Sequence, residues 1–448
     1  MLEFLRWLIG LGQKAHIRNA IVIKMKPAAI AERCLNSSIL ANPIVIFVGM
    51  WTTVFFLYSL HLSEQLIFEI ENFPEAYVSI VTPFIFGGLI VFLIYTNFSS
   101  TISYGAHSLD ASIFERETKD IKVLKKRMQL TASLFIVGAI FEVISSSGVP
   151  VYWYLIANGK QHSDFGMPSI HGLLMSMMVA YATISYYLFK VTLDKGFLLK
   201  IAVILLWCVV LVSRNFLIAT FLQLMFIELM FRKVPSKKLM YIFIIGLLFI
   251  VLFGVIGDFR TGSGDLILAV GRPTENYPSW LPSGFLWVYL YITTPLNNLL
   301  NNLSLGLGDH LIRSISTLAQ LFPSVIRSIV FPEGSSAEAL LVDPNLNVST
   351  AFIDPVIDGG ILGIIGYSFF MGVISYVFWL KRSRTFFMLG YAFIAQALIL
   401  SIFFNHFLYL PYLMQLVWFS YFLKGLKGLV LISGKPIGIS FSSIKRPH

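Results

Sequence analysis

The sequence predicts an all-α polytopic membrane protein, and three observations carry that prediction. Hydrophobic residues fill 57% of the 448 positions and charged residues only 12%, whereas soluble domains carry about a quarter charged residues. Ten mainly apolar stretches approach the length of about 20 residues that a spanning helix needs. Lys and Arg concentrate in alternate connections between those stretches. The expected architecture is about ten transmembrane helices and one large outer loop, all within a single polytopic domain over residues 1–448.

Residues 2–12 read as an amphipathic turn or two on the membrane surface, because Arg6 interrupts the short apolar start and no small-residue cleavage site follows it. The expected spans lie at 41–61, 77–98, 129–147, 167–189, 196–213, 215–231, 239–257, 355–380, 385–404 and 409–424. Of the 33 Lys and Arg residues, 27 fall in 1–40, 99–128, 190–200, 232–238, 381–384 and 424–448. The positive-inside rule puts these connections and both termini in the cytoplasm. The net charge of +10 therefore reports topology, and nucleic acid is not an expected partner. Cys34 falls in the N-terminal segment and Cys208 inside a span, so neither a disulfide nor a cysteine metal site is expected.

One connection is out of scale. It covers 96 residues, 258–353, while loops without internal structure rarely exceed about 15 residues. Residues 284–303 are apolar and aromatic, then interrupted by Pro295 and closed by Asn297, Asn298, Asn301 and Asn302. An interfacial or re-entrant helix fits them better than a span. Residues 309–330 place Leu311, Ile315, Leu318 and Phe322 at helical spacing, which predicts an amphipathic helix on the outer leaflet.

Six basic residues remain on the outer side: Lys160, Arg214, Arg260, Arg272, Arg313 and Arg327. Five are arginine, whose planar fork grips phosphate or carboxylate oxygens in pairs. Pairing with Asp258, Asp265, Glu275 or Asp309, or with lipid headgroups, is the plainer reading of any one of them. Arg214 lies in so tight a hairpin that it falls at the membrane boundary, where ionisable groups are functional candidates. Glu142 is read as the partner of an arginine or as a helix-end residue, His171 and His406 as structural histidines, and Glu228 as the partner of Arg232.

Asp354 and Asp358 stand four residues apart at the start of an apolar helix. Capping of that helix by the carboxylates and attraction of an anionic ligand to its N-terminus both fit. Gly360, Gly363 and Gly366 read as a surface for a second helix. No G-x-x-x-x-G-K-[ST], H-E-x-x-H or G-x-S-x-G motif occurs, so ATP hydrolysis, zinc proteolysis and serine hydrolysis lack their parts.

Taken with the layout, the segments FGMPSIHGLL, SRNFLIATFLQL and NLNVSTAFIDPVIDGGILGIIGY resemble the bacterial Wzy-type polymerases of O-antigen and capsule repeat units. Asn347, Thr350, Asp358, Gly360 and Gly363 match that family's N-x-x-T…D-[FG]-G-x-x-G passage, and Arg260 with Gly271 matches its R-x10-G spacing.

The resemblance implies an undecaprenyl-diphosphate-linked oligosaccharide as donor and a second lipid-linked unit as acceptor, joined at the outer face of the bacterial cytoplasmic membrane. Flippase and chain-length regulator proteins are the implied partners. Arg214, Arg260, Arg272 and Arg313 would hold the diphosphate, and Asp358, Asp354 or His310 would accept the hydroxyl proton. Asn347, Thr350, Asn297, Asn301, Trp280 and Tyr289 would face the glycan, although an interfacial aromatic belt fits the aromatic members equally well. No metal or cofactor is expected. An O-antigen ligase and a lipid-linked-oligosaccharide flippase are the competing readings.

Overall fold

The structure, a computed structural model, describes residues 39–67, 73–99, 111–156, 160, 164–231, 265–278, 280–305, 316–331, 339–343, 346 and 348–426. The long helices are α1 (Pro43–Ser59), α2 (Phe73–Ser99), α3 (Ala111–Ser145), α5 (Ile170–Thr192), α6 (Gly196–Val210), α7 (Arg214–Phe231), α9 (Ser283–Ser304), α12 (Ile353–Leu380), α13 (Thr385–Leu400) and α14 (Leu410–Leu423). Short helices occupy the connections: α4 (Pro150–Leu155), α8 (Asp265–Gly271), α10 (Ser316–Ala319) and α11 (Ser324–Val330). Among the described residues there is no strand, only an isolated bridge between Ser63 and Pro273.

The chain is a helical membrane protein. Among the described residues five helices, α2, α3, α5, α7 and α12, are long and apolar enough to cross a membrane. The expected spans at 41–61, 196–213, 385–404 and 409–424 are shorter helices of 17, 15, 16 and 14 residues. Turns at their ends take up the remaining apolar residues. The expected span at 239–257 lies outside the described residues.

Helix ends sort into two sets. At one end Lys125 meets Asp194 at 3.4 Å, Lys190 meets Glu228 at 2.6 Å, and Arg127 donates to the carbonyls of Tyr421, Phe422 and Lys424 at the close of α14. A cation there suits the negative end of a helix dipole. Glu228 thus pairs across helices with Lys190, and its expected partner Arg232 lies outside the described residues. At the other end are Glu142, His171, Arg214, Asp354 and the turns that bear them.

Close backbone approach joins α2 to α12. A Cβ on Gly372 would lie 2.2 Å from the Phe84 carbonyl oxygen, and one on Gly87 would lie 2.5 Å from that of Phe369. Small residues let membrane helices approach in this way. The expected glycine surface of α12 behaves differently. Gly366 faces open space, and a Cβ on Gly363 would lie 1.9 Å from the carbonyl oxygen of Pro355, in the first turn of the same helix.

That fold-back exists because α12 is broken at Gly359 and Gly360, where Gly360 takes φ +55°. Only glycine adopts such a conformation at little cost. Residues 353–358 consequently form a separate turn laid against the body of the helix.

Helix α9 is buried along much of its length, including most of its asparagines. Leu286, Leu290, Leu296 and Leu299 are buried, as are Asn297, Asn298 and Asn302. The Asn297 Oδ1 accepts from Ile67 N–H and Tyr58 O–H, while its Nδ2 donates to the Gln65 carbonyl. Asn298 Nδ2 donates to the carbonyls of Leu346 and Val348, and its Oδ1 accepts from Val342 N–H. The asparagines therefore pair the backbone of two loops. The expected helix over 309–330 is broken by Pro323 into α10 and α11, because proline cannot supply the N–H that a continuous helix requires.

A polar chain crosses the bundle interior. Thr183 O–H donates to Gln223 Oε1, Gln223 Nε2 donates to Gln396 and Gln415, and Gln396 Nε2 reaches His406 Nδ1 at 3.1 Å. The direction of donation makes His406 Nδ1 an acceptor, so this histidine is the neutral tautomer.

Gly372→Ala is expected to lower the thermal midpoint in detergent, since overpacking costs about 1–3 kcal/mol. Gly366→Ala should leave it unchanged. Equal midpoints for the two variants would refute the close α2–α12 approach.

Candidate functional site

The candidate site lies where the first turn of α12 meets the start of α14. Chain entry to α12 is fixed by Ala351 N–H, which donates to the Ser401 carbonyl at 2.8 Å, and by Thr350 Oγ1, which accepts from Phe352 N–H at 3.2 Å. Phe352 is fully buried between Trp51 and Tyr367, with ring centroids 5.3 and 5.7 Å away. This aromatic wedge holds the turn carrying both aspartates.

Asp358 has a defined partner. Its two carboxylate oxygens accept from Ser316 N–H and Thr317 N–H, each at 2.8 Å, at the start of α10. A carboxylate satisfies the free N–H groups of a helix start. Capping was the plainer expectation for this residue, and it occurs on a different helix from the one expected.

Asp354 is only partly buried and lies within electrostatic reach of Arg327, Asp358 and the Tyr367 hydroxyl. Tyr367 O–H donates to Asn405 Oδ1, and the buried Nδ2 of Asn405 has no partner among the described residues. Beside this turn opens a pocket of about 280 Å³, lined by Leu318, Pro355, Gly363, Tyr367, Phe370 and Leu408 together with Thr317 and Asp358.

Arg327 is turned inward by a 2.8 Å hydrogen bond to Gln320 Oε1, and the Gln320 carbonyl accepts from Leu410 N–H at 3.0 Å. The start of α14 is therefore the hub of the site. Phe216 of α7 stacks on Tyr412 at 5.1 Å, and Gly172 of α5 lies so close to Pro411 that a Cβ would come within 2.8 Å of it. Arg214, two residues before Phe216, is exposed at the first position of α7. The preceding turn is tight, with Val212 at φ +54°.

Other expected site residues are dispersed. Arg272 is exposed at φ +42° on a separate ledge, where its carbonyl accepts from Glu64 N–H at 2.8 Å. Arg260, Arg313, His310 and Asn347 lie outside the described residues. Asn297, Thr350 and Tyr289 are buried, and Tyr289 oxygen accepts from Leu62 N–H. These three side chains expose little surface in this structure. Asn301 is partly exposed and donates to the Leu340 carbonyl at 3.3 Å, and Trp280 is 79% exposed.

A further pairing is absent from the sequence expectations. Glu142 binds His171, not an arginine, at 3.1 Å. Their positions near matching ends of consecutive apolar helices were the available signal. The choice between partners needed the tertiary contact.

No protein-family model matches the chain, and no curated protein or solved structure does.

Asp358→Ala is expected to strand two backbone N–H groups and lower stability by about 1–3 kcal/mol. Asp354→Ala, which removes no N–H partner, should cost less. Unfolding in detergent with limited proteolysis near residues 316–323 would check both, and equal costs would undo the capping role of Asp358.

Proposed function

We propose that the chain is a glycosyltransferase that polymerises lipid-diphosphate-linked oligosaccharide repeat units at the outer face of a bacterial cytoplasmic membrane. In this reading about ten spans place both termini in the cytoplasm, and no metal takes part. The observation that carries it is the meeting of cationic and carboxylate groups around the start of α14, at the end opposite the lysine-rich turns. The sequence resemblance supports the same chemistry.

In the proposed reaction an acceptor sugar hydroxyl attacks the donor's anomeric carbon and the lipid diphosphate departs. Such a leaving group is already anionic and needs cations more than a proton. Exposed Arg214 is placed to meet that charge, with Arg327 across the first turn of α14. Fixed donors stabilise charge that grows in a transition state because they need no reorganisation. Asp354 keeps Arg327 in a carboxylate field, and Asp358 holds α10 in place. Arg272 serves this reading as a more distant anion contact.

Purified protein incubated with a lipid-diphosphate repeat unit, without nucleotide and with a metal chelator, is expected to yield a ladder of longer glycans. Arg214→Ala and Arg327→Ala should each lower the rate about 10²–10³-fold. Addition of a single unit would replace this reading with a ligase, and movement of the intact unit between leaflets with a transporter.

A further inference from the structure

Glu142, close to the end of α3, is 1% exposed, yet it is not left as an isolated charge. Its carboxylate oxygens lie 3.1 and 3.2 Å from His171 Nδ1. A carboxylate only accepts, so Nδ1 carries a proton, and in the neutral form of the ring the lone pair then lies on Nε2.

The ring is held from other sides as well. Phe165 meets it edge-on at 5.6 Å and 82°. Gly166, at φ +90°, lies so near that a Cβ would come within 2.7 Å of the imidazole. Ser146 Oγ accepts from Gly166 N–H at 2.9 Å and ties that loop back to the end of α3. The His171 side chain nevertheless remains 29% exposed, and its Nε2 makes no hydrogen bond among the described residues.

Its position matters equally. The next residue, Gly172, abuts Pro411 at the start of α14, and the adjoining Leu410 is bonded to Gln320, which holds Arg327. The pair and Arg327 thus flank one helix start. Among the described residues, Glu142, Lys160, Asp164 and Arg214 are the charged groups brought to this end by α3, the following connection and α7.

We infer that Glu142 and His171 form the proton-accepting dyad of the site, with a sugar hydroxyl as the group they act on. The inference rests on the glycosyl-transfer reading above and deepens it. Nε2 takes the hydroxyl proton as the oxygen bonds to the anomeric carbon. The bond from that carbon to the diphosphate oxygen breaks, and its electron pair leaves with the diphosphate. The proton on Nε2 then passes to water and restores the imidazole. Glu142 is the positioning residue: it fixes the ring tautomer and balances the imidazolium that forms.

Elongation of a lipid-diphosphate repeat unit would be followed over about pH 5–8 for wild type, His171→Gln, His171→Ala, Glu142→Gln and Asp354→Asn. His171→Gln is expected to lose about 10²–10⁴-fold in rate together with the acid-side fall of the pH profile. Glu142→Gln should shift that fall, and free imidazole should partly restore His171→Ala, which a misfolded variant would not allow. A fall that persists in His171→Gln but disappears in Asp354→Asn would make Asp354 the acceptor and overturn the inference. Wild-type rates in both dyad variants would also overturn it while leaving the polymerase reading intact. If wild type itself fails to elongate, that reading falls and the dyad with it.

Discussion

In apolar surroundings a buried backbone N–H or carbonyl has no water to turn to, so each must find a partner within the protein. Helices solve this internally, but turns and loop ends do not. Side-chain amides, hydroxyls and carboxylates close the gap here. Asn297 binds the backbone of Gln65 and Ile67, Asn298 that of Val342, Leu346 and Val348, and Asp358 binds the first N–H groups of α10. Without these partners the segments over the bundle would carry stranded polar groups.

Glycine determines where the carboxylates come to rest. The reversal at Gly360 and the bare Cα of Gly363 let residues 353–358 fold onto α12 in place of extending it. As a result Asp354 and Asp358 lie beside Arg327 and α10 at the rim, not inside the apolar bundle. Gly87 and Gly372 act differently, letting α2 and α12 approach closely further along the helix. A single residue type thus performs two tasks through one property, the absence of a Cβ.

The rim around α14 combines exposed Arg214, inward Arg327 and the Glu142–His171 pair. Departing anionic charge and a released proton are the two demands of the proposed transfer. These groups answer them from separate helices, α7, α11, α3 and α5, so the spacing between them depends on how the bundle packs. The pocket beside Asp354 is walled mainly by apolar side chains, which keeps the charged groups at its edge.

Composition and periodicity alone determined that this chain is helical and membrane-embedded, that its Lys and Arg residues concentrate in alternate connections, and that residues 353–358 are unusual. Those properties are local sums over neighbouring residues. The same reading left α9 open between an interfacial and a re-entrant helix, because asparagine amides look water-seeking until loops are found to occupy them. It also assigned Asp358 to its own helix and left Glu142 without its histidine. Partners separated by 29 residues, as Glu142 and His171 are, or by more than 40, as Asp358 and Ser316 are, leave no periodic trace. Only tertiary packing decided them, since a hydrogen bond depends on distance in space and the sequence records distance along the chain.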